Sequence, residues 1–174
     1  SGEVTHMLLD EIENRLDISD QDIVVTGNIS VDDANLLSAT TTGTVTASIA
    51  TTESITELKT LTETSNAYTI VISSADATGS TAAEFNTIDS KTTVTIDAGA
   101  ITELSGTYDE VTALYGSAGV DNLGDEAIII DELDALTVTQ ANGIDSLTTG
   151  VVTASIATTE TVDSLVNLAG TNAY

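Results

Sequence analysis

Cysteine is absent from this chain of 174 residues. That removes disulfides, thiol nucleophiles and thiolate metal sites, and leaves the redox compartment open. Proline is absent as well, so no turn or kink is set by a locked φ. There is no tryptophan, and the aromatics amount to one Phe and four Tyr, too few for a core of large rings or for a platform that stacks on sugars. The one histidine, His6, lies in residues 1–7, which read as a tag remnant. A Ser/His/Asp hydrolase would therefore have no base. No GxSxG, P-loop, GxGxxG, HExxH or CxxC pattern occurs either, and an enzyme is not expected. No apolar run approaches the roughly 18 residues of a membrane-spanning helix, and no signal-peptide pattern is visible.

Basic residues are nearly missing. Arg15, Lys59 and Lys91 stand against 28 acids, a formal net charge of −25. A surface of that sign repels phosphate backbones and anionic headgroups, so neither nucleic acid nor an anionic membrane is expected as a partner. One use of such a surface is solubility, with salt screening its self-repulsion; another is capture of divalent cations. Two stretches are calcium candidates. Residues 116–125, with Asp121 and Asp125, approximate the G-G-x-G-x-D-x-U-x repeat of calcium-binding β-rolls. Such sites need consecutive turns to share each ion, and here the motif stands alone, so a Gly-rich turn is the plainer reading. Residues 17–22 gather Asp17, Asp20 and Asp22 but lack the Gly and closing Glu of an EF-hand loop. No catalytic residue and no cofactor is expected; calcium at Asp121, Asp125, Asp20 and Asp22 is the alternative.

What the chain does contain is a repeat of itself. Residues 42–61 return as 149–168: Gly43 maps onto Gly150, an offset of 150 − 43 = 107, and Val45/Val152, Glu53/Glu160, Leu58/Leu165 and Leu61/Leu168 follow. After a one-residue deletion, Asn66-Ala67-Tyr68 reappears as Asn172-Ala173-Tyr174. Self-similarity of this kind marks a stack of similar segments.

Within it a shorter segment recurs. β-branched runs fall at 23–26, 45–48, 70–73, 94–97, 128–131 and 152–155, and several alternate apolar with polar residues, which predicts strands. Ile70-Val71-Ile72 and Ile128-Ile129-Ile130 are continuous, which predicts strands covered on both faces. Apolar triplets lie between these runs at i, i+3, i+6, one stripe of a helix: Val31/Ala34/Leu37, Ile55/Leu58/Leu61, Ala82/Phe85/Ile88, Tyr108/Val111/Leu114, Ala141/Ile144/Leu147 and Val162/Leu165/Leu168. Just before the triplets stand Ser30, Ser54, Thr81, Thr107, Gln140 and Thr161. Three positions later come Asp33, Glu57, Glu84, Glu110, Gly143 and Ser164, so four of the six are S/T-x-x-D/E boxes. Capping, rather than catalysis, is the expected work of those acids.

The expected fold is an α/β solenoid of about six coils, parallel strands on one side and short helices on the other. A single coil holds too little apolar surface to stand without neighbours. An all-β solenoid is the structural rival, because Thr is a mediocre helix former. Residues 8–20, with Leu8, Leu9, Ile12 and Leu16 on one face, are expected to form an N-terminal cap helix. Residues 21–174 form the solenoid, with an insertion at about 115–136 that bulges outward and adds a strand near 136–139. Asn66-Ala67-Tyr68 runs into a strand, whereas its second copy closes the sequence; the chain thus reads as truncated at its C-terminus, with an uncapped edge open to end-to-end self-association. The T-x-T pairs Thr44/Thr46 and Thr93/Thr95 suggest an ice-binding ladder, but Thr69/Val71, Ala127/Ile129 and Val151/Thr153 break it.

The phrases at 37–48 (Leu-Ser-Ala-Thr-Thr-Thr-Gly-Thr-Val-Thr-Ala-Ser), 147–155 (Leu-Thr-Thr-Gly-Val-Val-Thr-Ala-Ser) and 122–127 (Asn-Leu-Gly-Asp-Glu-Ala) resemble tandem repeats of giant secreted or cell-surface proteins of cyanobacteria and other marine bacteria. The resemblance covers residues 22–174. It implies an acidic extracellular spacer or adhesive stalk whose partners are neighbouring repeats of one parent chain, and it brings no catalytic residues. A ligand-binding module, calcium-stabilised, glycan-adhesive or ice-binding, is the alternative.

Overall fold

Helices in this protein begin where a hydroxyl or carboxamide box can satisfy the first free backbone amides. The computed structural model describes residues 18–131, 133 and 135–174; the expected tag remnant and, but for 18–20, the expected cap helix lie outside them. Among the described residues six α-helices form: α1 (Val31–Thr40), α2 (Ile55–Leu58), α3 (Ala82–Asp89), α4 (Tyr108–Gly116), α5 (Val138–Asp145) and α6 (Val162–Leu165). Ser30 accepts the Asp33 amide at the start of α1. Ser54/Glu57, Thr81/Glu84, Thr107/Glu110 and Thr161/Ser164 form reciprocal boxes at α2, α3, α4 and α6. Helices thus occupy segments that the all-β alternative gave to turns and strands.

The fifth helix corrects the sequence reading. It starts at Thr137, whose hydroxyl and amide are boxed with Gln140, and its buried stripe is Val138/Ala141/Ile144. The expected triplet Ala141/Ile144/Leu147 was one turn late. Val138 to Leu147 carries apolar residues at four successive i+3 positions, so periodicity alone fits either register. The cap decides: Thr137-x-x-Gln140 closes a box that Gln140-x-x-Gly143 cannot. The strand expected near 136–139 shrinks to one parallel bridge, Leu136 to Ile156.

The chain is a mixed α/β protein with parallel strands in several sheets, divided into two compact units. One takes the chain up to Ser73 with Thr87–Asp97, the other Ser74–Asn86 with Ala98–Tyr174. In the first, β1 (Ile23–Ile29), β2 (Val45–Ile49) and β3 (Ala67–Thr69) pair in sequence order. Ile23 lies opposite Val45, and Thr46 opposite Ala67. The register slips between Val24 and Asn28, where Gly27 takes φ +93° and supplies the bulge. Val45, Ala47 and Ile49 point inward while Thr46 faces out, the alternation a one-sided sheet requires. A further short strand, β5 (Ile96–Asp97), belongs to this unit.

The second unit holds β4 (Ser80–Thr81), β6 (Glu103–Gly106), β7 (Val120–Asp121), β8 (Ala127–Ile130) and β9 (Val152–Thr153). Its four-stranded parallel sheet runs β4-β6-β8-β9, with Ser80, Leu104, Ile128 and Val152 in one row. The interval 115–136 carries β7 and the inner strand β8, which falls on the run expected as a strand at 128–131. The expectation of strands covered on both faces fails: Val71 and Ile129 are exposed between buried neighbours, so the sheets keep one open face. No helix among the described residues is long and apolar enough to cross a membrane.

Candidate functional site

The polar side chains with the most definite geometry join one strand or helix to the next. Threonine pairs are the first device. The Thr41 hydroxyl donates to the Gln21 carbonyl at 2.6 Å and accepts the Gly43 amide at 2.9 Å, while the Thr42 amide donates to Ser19. In the second copy the Thr148 hydroxyl donates to the Glu126 carbonyl at 2.6 Å, accepts the Gly150 amide at 2.9 Å, and the Thr149 amide donates to Gly124. Thr92 and Thr93 do the same to Tyr68 and Asn66.

Asparagines on helix flanks are the second device. Asn35 follows the buried Ala34 in α1, donates to the Thr60 carbonyl at 3.0 Å and accepts the Thr62 amide at 3.0 Å. Asn142 follows Ala141 in α5, donates to Asn167 at 2.9 Å and accepts the Ala169 amide at 2.8 Å. Asn86 donates to the Glu110 carbonyl. A carboxamide suits this place because it offers donor and acceptor together to two orphan groups past a helix end.

The third device is the Asn-Ala-Tyr phrase. Asn66 accepts the Val45 amide at 2.8 Å and donates to Ser38 and to the Tyr68 hydroxyl. Its copy Asn172 accepts the Val152 amide at 2.9 Å and donates to Asp145 and to the Tyr174 hydroxyl. Burial pushes the pKa of Tyr68 up against its bonds to Ser38 and Asn66, and Tyr174 is raised by burial as well.

Glu126 departs from this pattern, and the sequence reading missed it. Its carbonyl accepts the Thr148 hydroxyl, as the carbonyls of Gln21 and Tyr68 accept those of Thr41 and Thr92. Its Oε2 turns back to accept the Gly124 amide at 2.8 Å and the Asp125 amide at 3.2 Å, and it is only 1% exposed. Its Oε1 is buried without a hydrogen-bond partner, as is the Tyr115 hydroxyl. Nothing in its local spacing separates it from the neighbouring Asp125.

Each of the four calcium candidates has a hydrogen bond of its own. Asp20 accepts from the Gln21 carboxamide, Asp22 accepts the Thr44 amide at 2.7 Å, and Asp121 accepts the Asn122 amide at 2.8 Å. Asp125 gives its own amide to Glu126. Among the described residues no group of three or more His, Cys, Asp or Glu is placed to hold a metal ion. Comparison with protein-family models, with curated proteins and with solved structures gave no match.

Proposed function

We propose that the chain is a non-enzymatic structural repeat module, a spacer or scaffold within a large extracellular or cell-surface protein of the kind its repeat phrases resemble. In this reading it is one solenoid of about six coils, each a parallel strand with a short helix, and its partners are neighbouring repeats of the same parent chain. The observation that carries the reading is the fate of the polar side chains. Thr41, Thr148, Asn35, Asn142, Asn66 and Asn172 each make a hydrogen bond with backbone 20 to 25 residues away in sequence. Side chains committed in that way are not available to a substrate. They make each coil depend on the next, which is the energetic character of a repeat stack. The charge of −25 supports the same reading, since like-charged surfaces stay apart.

Thermal unfolding in calcium and then in chelator tests the proposal, because a ligand of the native state raises the midpoint by mass action. The midpoint is expected to stay where it is. A rise in calcium, reversed by chelator, would replace the spacer with a calcium-stabilised binding module.

A further inference from the structure

We infer that the face carrying Val162, Leu165 and Val166, with the strand edge at Ala173, is a docking surface for one more strand-and-helix coil. This deepens the repeat-module reading and rests on it, by naming the partner that the face accepts: a parallel strand followed by aliphatic residues, as in the chain after Tyr68.

The two copies act as their own control. Residues 42–61 and 149–168 have nearly one text and one local structure. Val45 and Val152 each give their amide to the following asparagine, and α2 and α6 are four-residue helices behind a boxed hydroxyl. Their surroundings differ. Ile55 is 4% exposed and its counterpart Val162 76%; Leu58 is 2% exposed and Leu165 39%. In the first copy a further coil follows. There Asn66-Ala67-Tyr68 continues through Thr69 into the buried Ile70 and Ile72, and the Thr92-Thr93 pair then closes on Tyr68 and Asn66. Asn172-Ala173-Tyr174 presents the same side chains in the same register on β9. An aliphatic coil fits both elements: its strand takes the ladder edge, and its apolar residues cover Val162 and Leu165.

The test joins a second copy of residues 69–97 directly after Tyr174, where the shared Asn-Ala-Tyr phrase makes a seam the protein already uses. Hydrogen exchange is read in chelator. Amides of 162–174 are expected to slow on the order of tenfold, and Val162→Asp with Leu165→Asp in the extended chain to abolish the gain. Should the extension disturb folding of the host, a synthetic peptide of residues 69–97 is added to the unextended protein and the same amides are read. Unchanged exchange in both formats overturns the inference. So does a dimer of the unextended chain that Val162→Asp dissolves, since the occupant would then be a second copy. A calcium-dependent melting midpoint would sink the spacer reading and leave these exchange rates untouched, so the two failures are distinct.

Discussion

Gly150 packs its α-carbon against the carbonyl of Glu126 so closely that an added Cβ would overlap that oxygen, and Gly43 stands in the same relation to Gln21. Neither glycine takes a left-handed φ, so the demand is for space between neighbouring strands. Gly150→Ala and Gly43→Ala are therefore expected to cost about 1–3 kcal/mol each through forced backbone displacement. Gly143, inside α5 with open space around its α-carbon, is the control. Gly143→Ala should stabilise by roughly 0.5–1 kcal/mol through helix propensity. Urea midpoints of the three variants decide; a neutral Gly150→Ala would mean that the strands are not held at this separation.

Thr148 explains why that separation persists. Its hydroxyl holds the Glu126 carbonyl and the Gly150 amide together and is buried. Thr148→Val keeps the shape and removes both bonds, leaving orphan groups, and is expected to cost about 1–3 kcal/mol. Thr148→Ser keeps the hydroxyl and should recover most of the loss. Equal destabilisation by Val and Ser in chemical denaturation would assign the effect to the methyl group instead.

The devices that were legible in the sequence are those that act over three residues. Ser54 and Glu57, or Thr107 and Glu110, meet across one helical turn, so spacing alone announces the cap. The α5 register was ambiguous because Val138, Ala141, Ile144 and Leu147 extend one stripe past either choice. Strand β6 was invisible for a different reason. Glu103-Leu104-Ser105-Gly106 has a single apolar residue, and it is a strand because β4 and β8 pair with it on either side. Long-range pairing of that kind overrides local propensity. The open faces of Val71 and Ile129 show the same limit, since a continuous apolar run does not say which side will be covered. Ile55 and Val162 sharpen the point: nearly identical text produces the same short helix, while neighbours more distant in sequence set the burial.

Asn142 offers a test of the helix-flank clamp. Asn142→Asp keeps an acceptor for the Ala169 amide but sets a carboxylate oxygen against the Asn167 carbonyl in place of a donor. The expected outcome is a loss of about 1 kcal/mol, concentrated at the end of α6. The Ala169 amide should exchange on the order of tenfold faster, with little change around Asn35. Uniform acceleration across the chain would show a global effect and defeat the clamp as described.

Glu57 gives a prediction in pH. The Ser54 backbone amide, and after it the Ser54 hydroxyl, hold its carboxyl below the ordinary value of 4.5. A carboxyl depressed in the folded state contributes stability that is present above the unfolded pKa and lost as pH falls through the folded pKa. The box at α2 should thus persist through neutral pH and open only below 4.5. A carboxyl-detected NMR titration is expected to place the Glu57 midpoint under that value, Ser54→Ala to raise it, and Glu57→Gln to remove the acid-dependent change in Ser54 amide exchange. If Glu57 instead titrates at or above its ordinary value, the reciprocal bond between Ser54 and Glu57 is not what starts this helix.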